Sequence, residues 1–224
     1  MALHRSPRRL AVAALALPLV VTLISCGRPA DAPAGTNPPA AVAPAAAPLP
    51  PAPPPAPPPR DLTWSGNVDM KLWSAVRVKA YKQALKQDTP RTLAILRIPR
   101  LDLEVPVYDG TTDAVLDLAA GRIEETALPG TQGNVGIAAH RDGFFRVLKD
   151  IKEGDTLVLD TPRATERFRV EWIRITTPDD VSVIDPTPTA AVTLVGCYPF
   201  YHRGSAPKRF IVRAVPVSES STGN

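Results

Sequence analysis

The chain has 224 residues, 26 of them basic and 22 acidic, for a formal net charge of +4, with 27 prolines and two cysteines. Four of the basic residues and one of the acidic ones (Arg5, Arg8, Arg9 and Arg28 against Asp31) precede residue 60, which leaves 22 basic against 21 acidic residues beyond it. A neutral balance without a basic stripe, zinc spacing or aromatic run set among basic residues argues against nucleic-acid binding. There is no P-loop, no GxGxxG and no internal repeat.

In chain order, residues 1–26 read as an export signal. Arg5, Arg8 and Arg9 form a positive n-region, and Leu10 to Ile24 form an apolar stretch, interrupted by Pro18, that is short for a membrane span. It ends in Leu23-Ile24-Ser25-Cys26, which resembles a bacterial lipobox, so Cys26 is the expected lipidation site. The alternative is an uncleaved signal anchor, and both readings put the remaining chain outside the cytoplasmic membrane. Residues 27–60 are the expected tether. Between Arg28 and Pro59 lie fourteen prolines and only two charges, a composition that neither buries a core nor holds a helix. In polyproline II geometry it would extend roughly 100 Å.

Residues 61–217 are long enough for one domain with a single core, followed by a short disordered tail at 218–224. A helix is expected first, with Trp73, Val76, Ala80 and Ala84 on its buried face, Asn67 or Ser65 as cap and Pro90 beyond its end. Strand patterns then dominate: 93–98, 103–108, 134–139, 156–159, 168–176, 192–196 and 210–215, with a short helix at 113–120. Turn material such as Glu153-Gly154-Asp155 and Thr177-Pro178-Asp179-Asp180 separates them. Many short strands with few helices point to a mainly β fold closed into a barrel, which leaves no free sheet edge.

Cys197 is the residue with the clearest chemical promise. If Cys26 is acylated, Cys197 has no partner for a disulfide, and a lone thiol in an exported domain reads as a nucleophile. It ends the apolar run Thr193-Leu194-Val195-Gly196 and precedes Pro199, at a strand end. A catalytic thiol needs an imidazole and profits from a positive group. Beyond the n-region's His4, only His140 and His202 are available. His140 closes the strand pattern 134–139, His202 lies in the loop after Cys197, and Arg209 opens the strand that follows. Consecutive strands joined by such a loop usually pair, which brings Arg209 near Cys197.

Three segments, Asn134 to Asp142, Thr193 to Phe200 and Ala206 to Val212, in this order and spacing, resemble the hallmark segments of sortases, most like the class D branch. The resemblance runs from the Trp73 helix to Ala214. It implies an eight-stranded sortase barrel with an N-terminal helix and short connecting helices, and cysteine transpeptidation without a cofactor or metal. Cys197 would attack the carbonyl of a threonine in a short LPxT-like sorting signal of a secreted protein, giving a thioacyl enzyme that passes its acyl group to an amine acceptor in the cell envelope. His140 would be general acid and then base, and Arg209 would stabilise the oxyanion. Thr193, Leu194, Gly196 and His202 would contact substrate. The expected partners are therefore the secreted protein, the acceptor amine and the membrane, through the Cys26 lipid or an N-terminal anchor, and no nucleic acid.

The chain departs from the family at Gly196, where threonine is usual and its side chain is expected to line the substrate groove, and at Ala139, where glycine is common. Cys197 and His140 also have plainer readings, as a buried apolar thiol and a turn histidine, and Lys208 or Arg213 could replace Arg209. His202 could merely shape the groove. Asp142 is expected to cap its turn or orient it beside His140, and Asp179 and Asp180 to form a turn rather than bind metal. Papain-like peptidases place Cys before His. L,D-transpeptidases carry a His-Gly pair before the cysteine, where this chain has Val195-Gly196. The remaining alternative is an idle sortase-like lipoprotein that binds a protein tail or wall polymer.

Overall fold

A computed structural model describes residues 58–202 and 204–217. The expected signal, the expected lipidation site at Cys26, most of the expected tether and the 218–224 tail lie outside the described residues. Among the described residues no helix is long and apolar enough to cross a membrane.

The first helix, α1 (Ala75–Ala84), starts at Ser74, which has an extended backbone and whose hydroxyl oxygen accepts the Arg77 N–H at 3.1 Å. Asn67 and Ser65 lie too far upstream to cap it. Its buried positions are Tyr81 and Ala84, whereas Val76 is 76 % exposed. The expected face was therefore rotated: Trp73 precedes the helix and packs edge-on against Tyr81 and Phe144, with ring centroids 5.3 and 4.8 Å away. An aromatic just outside the N-terminus, rather than on the helix, sets the inward stripe, and that stripe includes Arg77.

Eight strands follow: β1 (Ala94–Ile98), β2 (Leu103–Asp109), β3 (Ala120–Arg122), β4 (Asn134–Ala138), β5 (Thr156–Asp160), β6 (Thr165–Thr176), β7 (Ala191–Tyr198) and β8 (Lys208–Pro216). A short helix, α2 (Asp113–Leu118), precedes β3 and is capped by Thr112. Seven strands lie where the sequence pattern puts them. The eighth, β3, is only Ala-Gly-Arg, with no alternation of large side chains for a period-two reading to find. The strands close into a barrel in the order β1-β2-β3-β4-β7-β8-β6-β5. Phe145, Ile137, Leu157, Leu159, Leu194 and Ile211 are among its fully buried side chains.

Two pairings place the site. β4 runs parallel to β7 with Ala138 opposite Val195, and β7 runs antiparallel to β8 with Cys197 opposite Arg209. Ahead of α1 the chain hugs the barrel: the Arg60 N–H donates to the Pro162 carbonyl, and the Ser65 N–H to Glu104 Oε1. It ends on the turn after His140, where the Ser74 N–H donates to the Asp142 carbonyl at 3.2 Å.

Candidate active site

His140 and Cys197 each lie two residues past the last paired positions of β4 and β7, Ala138 and Val195. Because these strands are parallel, continuing their register brings the imidazole level with the thiol at one rim of the barrel. Both line a groove of about 660 Å³, together with Ser74, Val76, Arg77 and His202. Arg209 stands on the adjacent strand as the cross-strand partner of Cys197. Directly opposed residues project to the same face of a sheet, which puts Arg209 on the face of the thiol, although Arg209 is not among the residues that line the groove. Among the described residues Arg209 makes no ion pair; its Nη1 donates to the Lys208 carbonyl at 3.3 Å.

The turn after His140 and the loop after Cys197 are fastened to each other by two arginines. Arg141 donates from Nη2 to the carbonyls of His202 and Gly204 at 3.0 and 2.7 Å. Arg146, almost fully buried, donates from Nη1 to the Phe200 carbonyl at 2.9 Å and stacks on the Tyr201 ring at 4.5 Å. Charge-assisted bonds of this kind hold a loop more firmly than neutral ones. The His140 carbonyl itself accepts from the N–H groups of Gly143 and Phe145, which anchors the turn.

Burial pushes the His140 pKa below its usual value, and the positive charge of Arg77 adds to this, against the opposing pull of Asp142, Asp117 and Asp113. The imidazole is thus mainly neutral at pH 7. Burial works against the charge of Asp142, but the Ser74 hydroxyl and the Arg77 guanidinium outweigh it and hold that carboxyl below its usual range. Asp142 serves α1 more than its own turn: its Oδ2 accepts from Ser74 Oγ at 2.6 Å and its Oδ1 from Arg77 Nε at 3.3 Å. Asp180 accepts from the hydroxyls of Thr176 and Ser182, as a turn-forming residue does.

Three of the four expected substrate contacts do not face this groove. Thr193 and Leu194 are fully buried; Thr193 spends its hydroxyl on Asn134 Oδ1 at 2.7 Å, and Leu194 belongs to the core. Gly196 is buried too, and a Cβ there would meet Phe145 Cδ2 at 3.8 Å and the Phe210 carbonyl at 4.0 Å. Strand alternation explains Leu194 and Gly196, which stand at odd spacing from Cys197 and point to the opposite side, whereas Thr193, at even spacing, shares the side of Cys197 but is buried against Asn134. Of the four, His202 lines the groove. The ordinary contact distances a Cβ would make at Gly196 make Gly196→Ala an expected stabilising change of about 0.4–1 kcal/mol, because the added methyl fits and the unfolded chain loses freedom. A raised urea midpoint at unchanged m-value would register it.

The residues missed from sequence are Ser74, Arg77, Asp117, Arg141 and Arg146. Arg141 and Arg146 follow His140 closely, and their spacing from it was the available signal. Among the described residues no three His, Cys, Asp or Glu side chains gather as a metal cage.

Comparison with known proteins gives the family of this barrel. The Sortase domain family model covers residues 96–217, more than half of the chain. The chain belongs to the sortase family. It is similar to Sortase D of Bacillus subtilis, 30 % identical over 132 residues that make up 58 % of this chain and 67 % of that protein. It is also similar to Sortase SrtE1 of Streptomyces coelicolor, 34 % identical over 125 residues, 47 % of this chain but only 36 % of that longer one. Among solved structures, the Sortase D5 transpeptidase of Clostridium perfringens superposes with a TM-score of 0.52 at 25 % identity, covering 62 % of this chain and 88 % of that one. The closed eight-stranded barrel is thus the sortase barrel, and the chain is a sortase-type cysteine transpeptidase. α1 lies ahead of the residues that match the family model.

Proposed function

We propose that this sortase acts outside the cytoplasmic membrane, held there by its N-terminal segment through a Cys26 lipid or a signal anchor, on secreted proteins that carry an LPxT-like signal. The observation that carries the reading is the shared groove of His140 and Cys197, with Arg209 the cross-strand partner of the thiol. Cys197 Sγ, its proton taken by His140, attacks the threonine carbonyl carbon. The tetrahedral oxyanion is offset by the Arg209 guanidinium. The C–N bond then breaks as His140 returns the proton to the leaving amine, which leaves a thioester on Cys197. An acceptor amine attacks that thioester, His140 takes the amine proton, and the C–S bond breaks to free the enzyme. Protons and electrons balance within these groups.

The groove side of His140 also bears on the acceptor. A neutral imidazole, favoured by burial and by Arg77, is the form that accepts a proton from an incoming amine.

The test is intact mass of the full-length protein after mixing with peptides of LPxTG and LPxTA type. A gain equal to the acyl half of one peptide, reversed by an added amine, is expected; no gain with any peptide from folded protein would overturn the LPxT reading. In the same assay Arg209→Ala should slow acylation about 10²- to 10³-fold, the usual loss for one oxyanion donor, with an unchanged melting temperature.

A further inference from the structure

Arg77 sits on α1, outside the family-matched residues, yet its side chain is only 15 % exposed and lines the groove with His140 and Cys197. Its two ends are used separately. Nη1 pairs with Asp117 of α2, and Nε lies 3.3 Å from Asp142 Oδ1 in the turn after His140. The same Asp117 Oδ1 stands 3.6 Å from His140 Nε2, too far for a hydrogen bond and close enough for an ion pair once the imidazole is charged. The helix end is locked to this arrangement. Ser74 caps α1 through the Arg77 N–H and donates its hydroxyl to Asp142, and the Arg77 stem lies so close over Gly143 that a Cβ there would meet its Cγ at 3.1 Å.

We propose that Arg77 is a positioning residue for His140: by occupying Asp117 and Asp142 it keeps both carboxylates from capturing the imidazole, and so makes α1 a working part of the transpeptidase site. The inference rests on the reading that His140 moves the protons. The charged groups around His140 come from every packed element. Asp113 and Asp117 belong to α2, Asp142 to its own turn and Arg77 to α1, while Arg141, Arg146, Cys197 and His202 line the same groove. Of the three carboxylates, two are neutralised through one guanidinium. Removing that guanidinium leaves a half-buried histidine facing uncompensated negative charge, which favours an imidazolium held by Asp117 in place of a neutral base.

The experiment is a pH titration of His140 in the full-length protein with carbon-13 histidine labelling, its signal assigned by loss in His140→Gln. Arg77→Ala should raise the His140 midpoint by about one pH unit, and Asp117→Asn should lower it. Arg77→Lys should restore part of the wild-type value. Opposite signs in the two variants cannot come from a shared loss of packing. If Arg77→Ala does not fold, the Asp117→Asn shift decides alone, and no downward movement there overturns the proposal. Equally, an unmoved midpoint in folded Arg77→Ala overturns it. Acylation by the LPxTG and LPxTA peptides separates the two readings. Undiminished acylation in His140→Ala would sink the catalytic role of His140. With that role intact, Arg77→Ala should lower kcat more than it changes KM, and should move the acid limb of the rate profile with the titration midpoint.

Discussion

Cys197→Ala and His140→Ala should each reduce acylation by LPxT-type peptides by at least about 10³-fold, with the folded barrel retained. The thiol is partly exposed at the end of β7 and contributes nothing to the fully buried core, so its loss removes chemistry and little packing. His140 is held by its backbone: its carbonyl anchors the following turn, an interaction that alanine preserves. The two should also fail to add. Once the thiol is gone, the imidazole has no proton to move, so the double variant should be no slower than Cys197→Ala alone. Rates from intact mass over time, with circular dichroism as the fold control, measure this. Acylation persisting in Cys197→Ala would show that the thiol is not the nucleophile.

The second large effect falls on stability. Gly121 is the middle residue of β3, and a Cβ there would sit 2.1 Å from the Gly110 carbonyl oxygen and 3.1 Å from Val115 Cγ1. The obstacle is backbone, which cannot rotate away as a side chain can. Gly121→Ala should therefore destabilise the fold by about 3 kcal/mol, at the upper end of overpacking costs. The consequence extends to the groove. β3 bridges β2 to β4 and follows directly on α2, so displacing it moves Asp117 on one side and the strand leading to His140 on the other. Denaturant melts should show a lower midpoint, and the His140 NMR signal should broaden or shift. A wild-type melt would mean that β3 and the Gly110 turn separate easily.

Long alternating strands were legible because large side chains mark their inner face: β6 alternates Phe168 and Val170 inward with Arg167 and Arg169 outward. The placement of His140 and Cys197 at strand ends was legible for the same reason, since each apolar run stops at the residue with chemistry to offer. β3 was not, because a strand defined by close backbone approach has no side-chain pattern. Nor was the inward face of α1, where hydropathy alone turned Val76 in and left Arg77 unremarked. In the fold Arg77 is the one held inward, by two carboxylates, and Val76 faces the groove. Thr193, a substrate contact by the family resemblance, is buried instead, because Asn134, remote in sequence, takes its hydroxyl.

The two pairings that build the rim also differ in how far apart along the chain their partners are. β7 and β8 are consecutive, so Cys197 meets Arg209 as soon as one hairpin zips. β4 must find β7 across the intervening β5 and β6, a long loop closure of the kind that slows folding. On this topology Cys197 and Arg209 are expected to come together before His140 joins them. An incompletely folded chain with only the β7–β8 hairpin made would carry the thiol without the imidazole beside it, and should be slow to react with peptides until the last long-range strand pair is made.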